Sequence, residues 1–364
     1  MADMLSLLPL PIDIETPAVL KKLASAHRYL AELKGIAETI PNEIILINTL
    51  ALQEAKDSSE VENIITTHDE LYKQELFSEV INNPASKEVS RYVQAVKTGF
   101  KQVRENGLLT TTGILEIHKV LEHNNAGFRK LPGTVLKNQA TGETVYTPPQ
   151  DYEDIISMMK NLDCYINDDS LSDVDPLVKM AIIHHRFESI HPFYDGNGRT
   201  GRIINILYLV IKGLQKLPIL YLSRYIIGNK FRYYTLLDGV HRRGDWEPWI
   251  LYMLEGVEQT SRQTIWIVQR IKKQMQELKE KLKLNHSKLY SHELLNNLFS
   301  HPYTKIELLR NDLGVSRVTA IKYLNELADS GILEKHSIGK YNYYVNRPLY
   351  NLFMNIPDPE SIHL

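Results

Sequence analysis

Residues 191–202 read His-Pro-Phe-Tyr-Asp-Gly-Asn-Gly-Arg-Thr-Gly-Arg, which brings a proton acceptor, a carboxylate, an anion-binding turn and two arginines into one short run. A helix arriving through 182–190 is expected to stop at His191, because a following proline disfavours helical backbone at the residue before it. Gly196, Asn197 and Gly198 predict a tight turn whose amides point at an anion. A helix restarting at Arg199 would set its positive end beside the same pocket. Arg199 and Arg202 lie three apart, hence on one helix face, and both are expected to reach the ligand. Asp195 stands beside the turn, where a carboxylate with an open site suits Mg²⁺ on a nucleotide phosphate. Together these are the parts needed to handle a nucleotide phosphate.

The spacing Gly196-x-Gly198-x-x-Gly201 is also that of a dinucleotide-binding fingerprint. That motif needs a preceding strand and an acidic residue about 20 positions on. Here a polar loop precedes it and the apolar stretch 203–211 follows, so the dinucleotide reading is set aside. His184 and His185 are adjacent and would diverge on a helix, which makes them structural rather than metal ligands. Phe193 is expected to be a core anchor that fixes the loop.

The segment resembles the His-Pro-Phe-x-Asp-Gly-Asn-Gly-Arg-x-x-Arg signature of the Fic family at every defined position. The resemblance implies transfer of AMP from ATP to a Ser, Thr or Tyr hydroxyl of a target protein, with self-modification as a further outcome. It implies His191 as the base and Asp195 as the Mg²⁺ ligand. The ATP site would run over Gly196, Asn197, Gly198, Arg199, Thr200, Gly201 and Arg202, with Arg202 on the γ-phosphate. Tyr234 would stack on adenine and Asn229 would contact the nucleoside. Upstream, Ser58-x-x-x-Glu62-Asn63 resembles the family's autoinhibitory helix, with Glu62 reaching Arg202 and with Ser58 and Asn63 acting through helix position and capping. A plainer reading stands beside it: Ser59-Glu60-Val61-Glu62 has capping-box spacing, so Glu62 needs no further role. Two rival activities remain open. One is the reverse reaction, removal of AMP with Glu62 positioning a water. The other is a DNA-binding regulator with a nucleotide-sensing core.

The elements that must position these residues are mostly helical. The chain has 364 residues, 43% hydrophobic and 24% charged, enough for several domains and ordinary for a soluble globular protein. A net charge of −2 gives no overall pull toward nucleic acid or anionic membrane. A single cysteine, Cys164, excludes an internal disulfide and suits a reducing compartment. No apolar stretch reaches membrane-span length and the first residues lack a basic leader, so a cytoplasmic protein without membrane contact is expected. Thr16-Pro17 opens a helix whose face is Val19, Leu23, Ala26, Leu30 and Leu33, with Gly35 as its stop. Further helices are expected over 43–56, 86–105, 112–122, 151–167, 176–190, 199–214, 231–237 and after Trp246.

The one β signal before residue 300 pairs 134–136 with 144–146 across a turn at 138–143. The Fic resemblance implies a flap here, whose edge can hold an extended target segment; the alternative is a surface loop. Ile271, Met275, Leu278 and Leu282 suggest a linker helix or partner seam. Residues 287–345 resemble a winged helix-turn-helix, with helices 291–299, 305–313 and 317–329 and a wing of 332–336 with 341–345. Arg317-Val318-Thr319-Ala320 would begin the recognition helix. Residues 301–350 hold seven Lys/Arg against five Asp/Glu, thin for phosphate binding, so protein interaction or homodimerisation is favoured over DNA. The expected architecture is mainly α: an N-terminal helical region (1–95), a Fic core with a hairpin flap (96–258), a linker helix (259–286) and a winged-helix domain (287–364).

Overall fold

The computed structural model describes residues 6–137 and 142–362. Helices dominate and the two sheets are small. In α1 (Pro17–Ala37) the Thr16 hydroxyl accepts the Val19 N–H, and Pro17 occupies the first turn, where its missing N–H costs nothing. The expected face, Val19 to Leu33, is buried, but the helix runs on through Gly35 because Ala37 is buried as well. Burial of that last turn outweighs the small penalty of one glycine.

The second helix, α2 (Glu43–Val61), runs past the expected end at 56. Its second half buries Gln53, Glu54, Asp57, Ser58 and Ser59, a polar pattern that hydrophobic periodicity cannot register. Next come α3 (His68–Leu76), α4 (Pro84–Asn106) and α5 (Thr111–Glu122). A short antiparallel hairpin follows, β1 (Leu136–Lys137) with β2 (Thr144–Tyr146), Leu136 opposite Tyr146. Its first strand begins two residues later than expected, and 138–141 of the expected turn lie outside the described residues.

At the centre, α6 (Tyr152–Asn167) packs on α7 (Pro176–Ile190), and α7 packs on α8 (Asn197–Ile211). Every residue of α7 from Leu177 to Ile190 is buried, as is most of α8, so the loop joining α7 to α8 hangs from two buried helices. Then α9 (Leu222–Gly228) and α10 (Lys230–Arg243) lead to α11 (Trp246–Asn285). This last is one continuous helix of 40 residues, about 60 Å long, and it crosses position 258 without a break. Its first part packs against α1, α7 and α9. Its second part buries only the stripe Ile271, Met275 and Leu282.

The C-terminal unit comprises α12 (His292–Ser300), β3 (Tyr303–Thr304), α13 (Ile306–Leu313), α14 (Arg317–Asp329), β4 (Glu334–Ile338), β5 (Tyr341–Val345) and α15 (Arg347–Met354). The second expected wing strand, 341–345, is β5, while the first lies two residues later than expected, at Glu334–Ile338. The two pair with each other, and β3 adds a third on the far side of β5. The unit leans on α3. The Tyr303 hydroxyl donates to Asp69 at 2.7 Å, and its ring lies 5.1 Å from that of Tyr72. Tyr341 and Tyr343 flank Phe77. Among the described residues no helix is long and apolar enough to cross a membrane.

Candidate active site

His191 caps α7 with φ 47° and ψ 58°. It leaves the right-handed helix as its proline neighbour requires, but enters the left-handed region that few side chains adopt. Arg129 holds it there. The Arg129 N–H donates to the Pro192 carbonyl and Nε to the His191 carbonyl, both at 2.8 Å. The same guanidinium also donates to the carbonyls of Pro149 and Ile190. Arg129 is fully buried among these carbonyls, a clamp on a strained turn. Sequence reasoning missed it, since a lone arginine before Lys130 reads as surface charge.

The rest of the loop is locked by its own side chains. Asn197 accepts the Phe193 N–H and donates to the Phe193 carbonyl, both at 2.9 Å. Phe193 is fully buried, as expected of an anchor, and stacks on His118 at 3.5 Å. Gly196 has φ 72° and lies against Glu122, which leaves no room for a Cβ. The helix restarts at Asn197, two residues before the expected Arg199. The Gly196 N–H is engaged by the Asp195 carboxylate at 2.7 Å. The amides left open in the first turn of α8 are therefore those of Asn197, Gly198 and Arg199.

The two arginines diverge, contrary to expectation. Arg199 pairs with Glu88 of α4 and with Glu122 of α5 at 2.9 Å, beside Asp195 of the loop, and its side chain is only 2% exposed. Two carboxylates on neighbouring helices fix it, so its side chain does not line the cavity. Arg202 instead faces the end of α2. Nε donates to the Ser58 hydroxyl at 2.7 Å, and one terminal nitrogen donates to the Ser58 carbonyl at 2.9 Å and to Glu62 at 2.8 Å. Ser58 thus binds Arg202 directly rather than acting through helix position alone.

Glu62 ends α2 and starts no helix, so the capping-box reading falls. The Asn63 N–H donates to Glu60 and the Ile64 N–H to Ser59, with Asn63 at φ 64°. That is a Schellman end, whose left-handed residue is best served by Gly or Asn. Lys230 of α10 donates to the Asn63 side chain at 3.0 Å. So held, the Glu62 carboxylate lies against Gly198, where even a Cβ would not fit.

These groups line a cavity of about 690 Å³, with His191, Glu188, Gly198, Arg202 and Glu62 on one side. The hairpin and Tyr233, Tyr234 and His241 of α10 supply the other walls. Tyr234 is partly exposed there, while Asn229 spends its amide on the Tyr225 carbonyl and does not line the cavity. Thr200 and Gly201 are packed in the core, Gly201 against Phe187 and Glu188. The Asp195 side chain is 82% exposed, near Arg199 at 3.7 Å. Among the described residues no three His, Cys, Asp or Glu groups converge on a metal site.

Burial pushes the His191 imidazole down to about 4, with Arg129 adding to the effect and the Glu188 carbonyl opposing it. It is therefore neutral at pH 7, the state a proton acceptor needs. Burial works against the charge on Glu62, but Arg202 overcomes it and holds that carboxyl below its usual range. Arg202 is correspondingly raised despite its burial.

Three family models match the chain: Fic/DOC family N-terminal over residues 20–101, Fic/DOC family over 108–209, and the SoFic-like protein adenylyltransferase C-terminal domain over 274–349. The second covers the whole loop just described. The chain belongs to the Fic/DOC family. Among Fic relatives, protein adenylyltransferase fic-1 of Caenorhabditis elegans is 31% identical over 110 residues, 30% of this chain and 20% of that protein. Protein adenylyltransferase Fic of Aedes aegypti is 27% identical over 165 residues, 45% and 31%. The chain thus spans a fifth to a third of the curated Fic proteins it matches. Its fold is similar to that of a Fic family protein from Desulfovibrio desulfuricans G20, with TM-score 0.59 and 20% identity, covering 93% of this chain and 98% of that one. Residues 134–508 of Fic-1 from C. elegans align with TM-score 0.52 and 19% identity over 69% and 73%.

Proposed function

We propose that the chain is a protein adenylyltransferase that moves AMP from ATP to a Ser, Thr or Tyr hydroxyl of a target protein or of itself. One observation carries this reading: an internal carboxylate, Glu62, sits on the glycine turn and on Arg202 inside the cavity that His191 lines. The place is built for an anion and filled from within. With Glu62 withdrawn, the open amides of Asn197, Gly198 and Arg199 take phosphate oxygens and Arg202 takes the terminal phosphate. Neutral His191 accepts the proton of the incoming hydroxyl, a contribution of about 10²–10⁴-fold. The new bond forms between that oxygen and the α-phosphorus, and the bond to pyrophosphate breaks. Gly201 serves the site by closing α8 onto α7, with Thr200 buried beside it, and Tyr234 flanks the adenine, with Asn229 shaping the turn before it. Asp195, exposed beside the turn, would hold a Mg²⁺ ion, which when bound would neutralise phosphate charge. The two curated relatives named above, both protein adenylyltransferases, support the same reading.

The test is incorporation of labelled AMP by the wild type, Glu62→Gly and Glu62→Gly/His191→Ala, with and without cell lysate. Glu62→Gly should label itself or a target strongly and the wild type weakly. The double variant should bind ATP and transfer none. Transfer that survives loss of His191 in a folded protein removes the histidine from its role, and equal labelling by wild type and Glu62→Gly removes the inhibitory contact.

A further inference from the structure

Resting on the adenylyltransferase reading, a second acid of the cavity acquires a task. Glu188 stands on α7 one turn ahead of His191 and lines the cavity together with that histidine and Arg202. The residue is 6% exposed, and its Oε1 is buried without a hydrogen-bond partner. Gly201 of α8 lies against that oxygen, close enough that a Cβ would come within 2.9 Å. Among the described residues no cation forms an ion pair with it, and the Arg202 guanidinium is occupied by Ser58 and Glu62.

The groups facing it come from four elements. Arg202 of α8 favours its ionised form, and Glu62 at the end of α2 opposes it. Tyr233 and Tyr234 approach from α10. His184 of α7 lies on the same side of Gly201, bound through Nε2 to the Tyr233 hydroxyl and held neutral by burial. His191, neutral as well, follows on the chain. Burial outweighs the rest and pushes the Glu188 carboxyl up to about 7. An unpaired carboxylate on the wall of a cavity that receives a polyanion is unfavourable twice over, by desolvation and by like charge.

We propose that Glu188 is a nucleotide-binding residue that works as the neutral acid, donating its O–H to a phosphate oxygen of the bound nucleotide. The sign of the pH dependence follows. The acid is neutral below its pKa, and an arriving polyphosphate raises that pKa further. Binding above pH 7 therefore takes up a proton, and affinity falls as the pH rises.

The experiment uses the 364-residue chain carrying Glu62→Gly, in which the cavity is free, against Glu62→Gly/Glu188→Gln and Glu62→Gly/Glu188→Met. ADP with Mg²⁺ is titrated calorimetrically from pH 6.5 to 8.5 in buffers of differing ionisation enthalpy, which separates proton uptake from binding heat. The nucleotide's own titration is common to all three proteins, and His191 titrates far below the range. The parent should lose about tenfold more affinity across the range than the Gln variant, which keeps a donor at every pH. The parent should also take up a fraction of a proton near pH 7.5 that the Gln variant does not. The Met variant, similar in volume without a donor, should show no such pH loss and bind about tenfold weaker than Gln. Equal pH slopes and equal proton uptake in parent and Gln overturn the assignment, as does a Met variant that binds as tightly as Gln. If ADP binds to none of the three, the adenylyltransferase reading falls and takes the assignment with it. If the parent binds ADP and transfers AMP while the slopes coincide, only Glu188 loses its role.

Discussion

Arg202 is the most contested group in the molecule. Three acceptors from two residues, the Ser58 hydroxyl, the Ser58 carbonyl and the Glu62 carboxylate, hold a guanidinium that the proposed chemistry requires for phosphate. Ser58→Ala removes one of the three and leaves Nε without that acceptor. The loss of about 1 kcal/mol from the closed arrangement should raise AMP transfer by up to about fivefold, less than Glu62→Gly does. A rate equal to wild type would make the hydroxyl a bystander. The pair also has a pH signature. Because Arg202 lowers the Glu62 pKa, the contact is fully present above the ordinary carboxylate value of about 4.3 and is lost only as pH falls below it. The ratio of Glu62→Gly to wild-type transfer should therefore stay flat between pH 6 and 8. At this scale the twelve-residue motif was legible because every residue type in it has a chemical reason to be there. Arg129, the direct bond from Ser58 to Arg202 and the acid pair around Arg199 were not, because their partners come from distant segments that one sequence does not bring together.

The end of α2 shows how an element carries a function. A helix that buries polar residues along its last turns can be aimed only if its terminus is fixed, and the Schellman bonds of Asn63 and Ile64 fix it. Asn63 sits at φ 64°, a conformation open to Gly and Asn and hostile to β-branched residues. Asn63→Val should cost about 1–2 kcal/mol, unwind the last turn, let Glu62 swing from Arg202 and raise transfer. Asn63→Gly loses the same contact with Lys230 but keeps the backbone, and its transfer should stay within about twofold of wild type. If both variants rise equally, Lys230 rather than the helix end holds the inhibitor. The sequence contains this device in plain view as Glu62-Asn63, yet the apolar spacing that reveals α1 and α7 stops at 56 in α2. Buried polar residues carry no periodic signal, so the same stretch reads equally well as the start of a helix. Only the backbone bonds decide between start and end.

On the scale of the molecule, the C-terminal unit is recognisable from its turns and helix caps, but its docking is not, because stacking partners leave no trace in spacing. Tyr303 is buried, its ring against Tyr72 and its hydroxyl on Asp69, while Lys305 donates to the Leu76 carbonyl and lies over Phe77. The face of α3 that receives them begins six residues after Glu62. Gln53 of α2 in turn meets both Tyr72 and His68 of α3. Core and C-terminal unit should therefore unfold together, in one calorimetric transition. Tyr303→Phe keeps the ring and loses one hydrogen bond to a half-exposed carboxylate, so it should lower stability by about 1 kcal/mol. Tyr303→Ala empties the seam and should cost about 3–5 kcal/mol, moving Tm by several degrees. Deleting residues 286–364 should do more, leaving Tyr72 and Phe77 in water and α2 without its brace, so that the remaining core melts earlier and transfers AMP with weaker inhibition. A truncated core with unchanged Tm and unchanged inhibition would show the seam to be a contact of convenience. Two separate transitions in the intact chain would show the same, since a unit that melts alone cannot hold α3 in place.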